Sequence, residues 1–356
     1  MEYFGDKLRA LRMEKKLTQN DLAARLGIVG ASVSSYEKNN THAFQCECGG
    51  LFSLHKDESD EVTDEISLGE FETPLLPLKI DKLEFLLKLE NLLPTGSFKD
   101  RGAYRLINEL HHLGIKKVVL DSSGNAGASV AAYAAAANID CTVYVPDDIS
   151  NEKIAQIEAY GARIVKVANG RMKACTAAKE NLGDAYYASH VYNPLFFEGM
   201  KSMAREMYQQ LGNHIPDYIF IPVGNGTMLL GLYQGFMELG RLPHFVAVQS
   251  KKCAPLYEAY HELPAASKKT TIAEAIRIEH PKRLKTMVEA VRNSFGDVVA
   301  VDDKDILEAK KYLGSRGVYV EMTSAAALAG ARKYFQAGKP DNYQVIIPLT
   351  GSGLKR

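Results

Sequence analysis

Lys99 stands in the run Pro94-Thr95-Gly96-Ser97-Phe98-Lys99-Asp100-Arg101-Gly102, a small-residue turn that opens a helical-looking stretch from Ala103 to Leu113. Tight backbone packing at such a turn holds a lysine close to a bound group. To form an imine or act as a base, its amine must be deprotonated, and burial or a neighbouring cation lowers its pKa. Arg101 is placed to be that cation, or else forms an exposed salt bridge. The plain alternative for Lys99 is a solvated lysine at a helix start.

Three more segments follow in order. Ser122-Ser123-Gly124-Asn125 and Val223-Gly224-Asn225-Gly226-Thr227 each join a strand to a helix, and Leu349-Thr350-Gly351-Ser352-Gly353-Leu354-Lys355 closes the chain. At the second of these, glycines let the backbone approach closely, and the amides at the helix start suit a dianionic phosphate. Gly224, Asn225, Gly226, Thr227 and Met228 are the candidate donors, with the Thr227 hydroxyl beside them. The Ser122 turn has the same anion-binding geometry, which is compatible with a helix start capped by Ser123 or Asn125.

In this order the four segments resemble the threonine synthase-like branch of the fold-type-II pyridoxal phosphate (PLP) enzymes, from about Phe71 to Arg356. The resemblance implies that Lys99 is the Schiff-base lysine and that Gly224 to Met228 hold the cofactor phosphate. It places Asn125 at the 3′-oxygen of PLP and Thr350 at the pyridine nitrogen. Ser122, Ser123 and Gly124 clasp a substrate carboxylate through backbone N–H groups. Phe98 packs beside the ring or is ordinary core. A hydroxyl at the ring nitrogen cannot hold a full proton there as a carboxylate can, so the ring is expected to be a milder electron sink. That suits elimination or replacement at the β or γ carbon better than transamination. Ala273-Glu274-Ala275-Ile276-Arg277-Ile278 and Glu321-Met322-Thr323-Ser324-Ala325-Ala326 also look like threonine synthase elements.

One stretch departs from the family. Threonine synthases act on O-phosphohomoserine and carry an Asn-Pro-x-Arg element for its phosphate, where arginine's planar fork fits best. Here the run is Asn193-Pro194-Leu195-Phe196, so Phe196 takes the arginine position; Val191 matches the family serine and Ala126 the family threonine. All three changes remove polarity from the side-chain pocket, and a phosphate left unpaired in a closed site is costly. His190 and Tyr192 are either replacement contacts or ordinary packing. The expectation is an enzyme of amino-acid metabolism, threonine synthase-like, with altered side-chain specificity and a small substrate. The alternatives are a genuine threonine synthase and, from another class, a PLP- or amino-acid-responsive DNA-binding regulator.

The elements that must position these residues read as α/β. Strands are expected at 118–120, 141–145, 163–167, 218–222, 245–249 and 345–348, alternating with helices such as 128–137, 150–160 and 228–239, which argues mainly parallel sheets. With the resemblance, this implies a tryptophan synthase β-like core over 71–356. It has two α/β domains with the cofactor between them, and a smaller subdomain of about 115–200 is inserted in the larger one. The resemblance further implies a homodimer.

Ahead of the core, residues 1–40 form a small all-α segment. Leu17-Thr18-Gln19, Asp21-Leu22-Ala23, Leu26-Gly27 and Ser32-Val33-Ser34-Ser35-Tyr36-Glu37 resemble a Cro/repressor helix-turn-helix, with Thr18 capping the second helix. That family places its short recognition helix in the major groove; here Ser32, Ser34 and Ser35 would contact DNA, or the unit is a docking appendage. Residues 41–70 are a linker in which Cys46 and Cys48 resemble half a zinc ribbon. A structural zinc site takes four ligands, and His42 and His55 are poor complements, so the segment is read as a metal-free relic.

With 43 basic and 43 acidic residues, the whole-chain charge gives no argument for nucleic acid. The longest mild apolar run, Ala128 to Ala137, is too short to span a bilayer. Five cysteines, an odd number and mostly scattered, and a start without a signal pattern point to reduced thiols and a cytoplasmic home.

Overall fold

The computed structural model describes residues 9, 12–18, 21, 65–80, 83–149, 151–168, 170–267, 269–336 and 343–355. Most of the helix-turn-helix-like segment lies outside these residues, as do Cys46, Cys48, His42 and His55. Of that segment, the Thr18 N–H donates to Asp21 Oδ2 (2.8 Å) and the Asp21 N–H donates to Thr18 Oγ1 (3.0 Å). This reciprocal exchange is the pattern of a capping box.

In chain order the elements are β1 (Leu75–Ile80), β2 (Leu83–Lys88), α1 (Lys99–His112), β3 (Lys117–Leu120), α2 (Asn125–Ala136), β4 (Asp140–Pro146), α3 (Asn151–Ala159), β5 (Arg163–Val167), α4 (Gly170–Glu180), β6 (Tyr186–Tyr187) and α5 (Pro194–Gln210). There follow β7 (Tyr218–Pro222), α6 (Thr227–Glu238), β8 (His244–Ser250), α7 (Pro255–Tyr260), α8 (Leu284–Asn293), β9 (Asp297–Val301), α9 (Asp303–Ser315), α10 (Met322–Tyr334) and β10 (Val345–Pro348). The chain divides into two compact units, one of residues 1–69 and 99–199, the other of 70–98 and 200–356.

The first unit is built on a four-stranded sheet in the order β5-β4-β3-β6, parallel throughout. Helix α1 buries Ala103, Leu106, Ile107 and Leu110, the spacing of one helical face. Helix α2 is buried continuously from Ala126 to Ala134, and only small side chains fit so enclosed a helix apart from Val130 and Tyr133. A Cβ on Gly127 would lie 1.8 Å from the Ser122 carbonyl oxygen, so glycine there lets the helix fold tightly over the turn that precedes it. The Ser129 hydroxyl donates to Asp100 Oδ1 at 2.6 Å and ties α2 to the first turn of α1.

The second unit carries a six-stranded sheet, β1-β2-β10-β7-β8-β9. Its first two strands form an antiparallel pair, and every other pairing is parallel. Strands β7, β8 and β10 are almost wholly buried and correspondingly apolar, as expected where both sheet faces are covered. Helix α10 packs its alanines against this sheet; a Cβ on Gly330 would come within 2.4 Å of Val248. Lys88, at the end of β2, is fully buried. It donates to the Thr73 carbonyl at 2.6 Å, Glu206 Oε2 at 2.7 Å and Gln210 Oε1 at 2.9 Å, which fastens the carboxyl half of α5 to β2.

Candidate active site

Lys99 is the first residue of α1 and is partly buried, with Nζ 5.8 Å from the centroid of the Phe196 ring. Phe196 is fully buried. Its ring lies over Gly102, where an added Cβ would come within 2.2 Å of it. The Asn-Pro element explains how Phe196 is placed. Asn193 Oδ1 accepts the Leu195 N–H at 2.9 Å, and Pro194 opens α5. Proline is well suited to a first helical position, where its missing N–H is no loss. The third residue of the helix is then Phe196. Its ring meets His190 edge-on at 5.9 Å. Burial, and then the charges of Lys99 and Arg171, hold the His190 imidazole well below its usual pKa and therefore neutral. Arg101 is only 7% exposed, which overturns its reading as an exposed salt-bridge residue.

Ser122, Ser123, Gly124 and Asn125 follow β3 at its carboxyl end. The sequence allows Ser123 or Asn125 as the cap of α2, as an alternative compatible with anion binding. Instead Gly124 is the N-cap in extended conformation, and no side chain caps the helix. The first intrahelical bond runs from Ala128 N–H to Gly124 O at 3.1 Å, so the Ala126 and Gly127 amides have no acceptor within the helix. Ala126 is buried. Strand β6 pairs with β3, so Ser189 to Asn193 leave the same sheet edge as the Ser122 turn. Carboxyl edges of parallel sheets are where such folds bind ligands. Tyr192 does not stand free for a substrate: its hydroxyl accepts from Lys179 Nζ at 3.0 Å.

In the second unit, the turn from Val223 to Met228 joins β7 to α6. Gly226 is the helix N-cap in the left-handed region at φ +81°, and again no side chain caps the helix. A Cβ on Gly224 would sit 2.9 Å from the Ala275 carbonyl oxygen, so the turn is pressed against the 273–278 segment. Gln249 Nε2 donates to the Val223 carbonyl at 3.0 Å and fixes the turn from the neighbouring strand. Asn225 is partly exposed, while Thr227 and Met228 are buried. The Thr227 hydroxyl oxygen is buried without a hydrogen-bond partner. A buried hydroxyl left unpaired is costly. Together with glycine-built close approach and an uncapped helix start, it fits a site made for a phosphate dianion.

Thr350 follows β10. Its backbone accepts the Phe98 N–H at 3.1 Å, and Ser97 bridges to Gly351, so residues 97 and 98 are held against the Thr350 turn. Phe98 is partly buried. The Thr350 hydroxyl is 2.9 Å from both Glu321 Oε1 and Ser324 Oγ. Sequence singled out the Glu321 to Ala326 run without assigning either residue a role. No local signal shows that helix α10 starts beside Thr350. Among the described residues no cluster of His, Cys, Asp or Glu forms a metal site, and no helix is long and apolar enough to cross a membrane.

The chain matches the family model of pyridoxal-phosphate dependent enzymes over residues 66–351. It is similar to a threonine synthase of Methanocaldococcus jannaschii, at 31% identity over 358 residues, covering 88% of each chain. A threonine synthase of a Bacillus species is 34% identical over 310 residues, covering 83% of this chain and 86% of its own. Among solved structures, a threonine deaminase from T.th. superposes with a TM-score of 0.67 at 27% identity, covering 79% of this chain and 92% of its own. A fungal L-serine ammonia-lyase from Rhizomucor miehei shares the fold with a TM-score of 0.71 at 22% identity, covering 79% of this chain and 94% of its own.

Proposed function

Because the chain belongs to the pyridoxal-phosphate dependent enzyme family, we propose that it eliminates or replaces a β or γ substituent on a small amino acid whose side chain carries no phosphate. The observation that carries this reading is Phe196, a fully buried aromatic 5.8 Å from Lys99 Nζ where the family resemblance calls for an arginine. Ala126 and Val191 add no charge, and the neighbouring His190 imidazole is neutral. The relatives named threonine synthase support the second reading, conversion of O-phosphohomoserine to threonine, with another cation replacing the missing arginine.

When bound, PLP withdraws electrons from the α-carbon of the amino acid. Residues 224–228 would hold its phosphate, with the unpartnered Thr227 hydroxyl as a further donor. The turn from Ser122 to Gly124 and the start of α2 at Asn125 would hold the substrate carboxylate, and Asn125 would also hydrogen-bond the 3′-oxygen. Lys99 takes the α-proton and returns a proton to the carbon skeleton. Residues 1–40 either bind DNA, as a regulator would, or dock a second copy in a homodimer; the cytoplasm is the proposed compartment.

Borohydride reduction of the PLP-loaded protein, followed by digestion and mass spectrometry, is expected to place the cofactor on the peptide bearing Lys99. Incubation with serine, threonine, homoserine and their O-acyl forms is expected to release a 2-oxo acid and ammonia from at least one, and Lys99→Ala abolishes that release. Attachment elsewhere, or turnover of none of them, contradicts the proposal. Binding of a fragment from its own promoter at low salt, where non-specific contacts are strongest, tests the DNA role, and failure to bind there removes it.

A further inference from the structure

The direction of the hydrogen bonds at Thr350 carries an inference that rests on the PLP reading above. Thr350 is 2% exposed and Ser324 is fully buried, so the hydrogen bonds of both hydroxyls are set by the groups packed around them. A threonine hydroxyl has one proton to donate and two lone pairs to accept with, whereas a carboxylate oxygen only accepts. Between Thr350 Oγ1 and Glu321 Oε1, 2.9 Å apart, the proton therefore comes from Thr350. Bonds to a charged acceptor are the stronger kind, so this one outranks donation to a neutral group. Ser324 Oγ accepts the Gly351 N–H at 3.0 Å and lies 2.9 Å from Thr350 Oγ1 and 3.2 Å from the Gly351 carbonyl. With the threonine proton pointing to Glu321, Ser324 has its own proton to give to Thr350 or to that carbonyl.

The position of the carboxylate is built in rather than incidental. Glu321 is the N-cap residue of α10, and its backbone N–H donates to the Gly351 carbonyl at 3.0 Å. A Cβ on Gly351 would come within 2.6 Å of the Glu321 carboxyl carbon, so glycine at 351 is what leaves room for the carboxylate beside Thr350.

We propose that Glu321 is a positioning residue that turns the Thr350 hydroxyl into a hydrogen-bond acceptor toward the cofactor. A ring nitrogen facing that hydroxyl must then bring the proton itself, as a pyridinium. The proton comes from a hydronium ion of the solvent when PLP binds: one N–H bond forms, one O–H bond breaks and water is left. The nearby carboxylate favours the cationic ring, as any neighbouring negative charge does. This reverses the expectation from sequence that a hydroxyl leaves the ring a weak electron sink. The site pairs a carboxylate with the ring indirectly, through one threonine.

The test is the 15N NMR shift of ring-labelled PLP in the holoenzyme at neutral pH. Free labelled cofactor titrated through its own ring ionisation gives both reference positions. The expected result is a wild-type signal at the protonated reference. In Glu321→Gln, whose amide can donate to Thr350, the signal moves to the neutral reference. A wild-type signal at the neutral position with PLP bound overturns this inference and leaves the cofactor reading intact. A wild-type signal at the protonated position that Glu321→Gln leaves unmoved, with PLP still bound, overturns the role of Glu321. Failure of the wild-type protein to bind PLP at all overturns both readings together.

Discussion

Phe196 and Gly102 form one unit at the residue scale. The phenyl ring occupies the space a Cβ at 102 would need, since that atom would come within 2.2 Å of it. Gly102→Ala is expected to lower stability by about 1–3 kcal/mol, the usual range for overpacking a tight core. Urea unfolding checks it, and the same variant should lose activity because Phe196, whose ring lies near Lys99, is displaced. His190 supplies the pH-sensitive group. Its imidazole is held well below the usual histidine range by burial first, then by Lys99 and Arg171. The folded state therefore binds fewer protons than the unfolded state once pH falls below the unfolded value of about 6.5. The neutral histidine contributes no penalty above that pH, and stability is lost progressively as pH falls from it toward the folded pKa. Unfolding midpoints of wild type and His190→Gln should run together above about pH 7 and diverge below about pH 6, with the wild type falling faster.

At the element scale, α5 is fastened to β2 by a fully buried lysine. Lys88→Ala strands the partly buried Glu206 carboxylate and removes a donor from the Thr73 carbonyl. Breaking one side of such a pair costs about 3–5 kcal/mol, measurable as a lower denaturant midpoint. Much of the parallel architecture was legible in the chain. Arg163–Val167, Tyr218–Pro222 and Val345–Pro348 form strands over the expected spans, because short β-branched or apolar runs ending at turns have few other uses. The antiparallel pair β1 and β2 was not legible: Leu75 to Lys88 mixes apolar and charged residues without clean alternation, and its partner strand β10 is far away in sequence. Helix α10 was seen only as a motif, since its alanines have no amphipathic face to betray a helix that is buried all round. The glycine turns and Lys99 were readable because they need particular residue types locally. Glu321 beside Thr350 and Gln249 beside Val223 were not, because each is set by the stacking of distant elements.

For the whole molecule, ligand binding and folding are linked. A cofactor that binds only the folded chain stabilises it by about 2.7 kcal/mol at a free concentration one hundred times Kd. Adding PLP should raise the unfolding temperature, and Thr227→Val should weaken that rise by removing the hydroxyl that now has no partner in the turn. The central claim is that this chain keeps the chemistry of its relatives and changes the side chain it accepts. The most direct measurement is phosphate release from O-phosphohomoserine by the PLP-loaded protein, compared with 2-oxo acid release from unphosphorylated amino acids under the same conditions. The expected result is turnover of an unphosphorylated substrate with phosphate release at background. Stoichiometric release of phosphate and threonine would contradict it, and would mean that another cation does the work of the arginine replaced by Phe196.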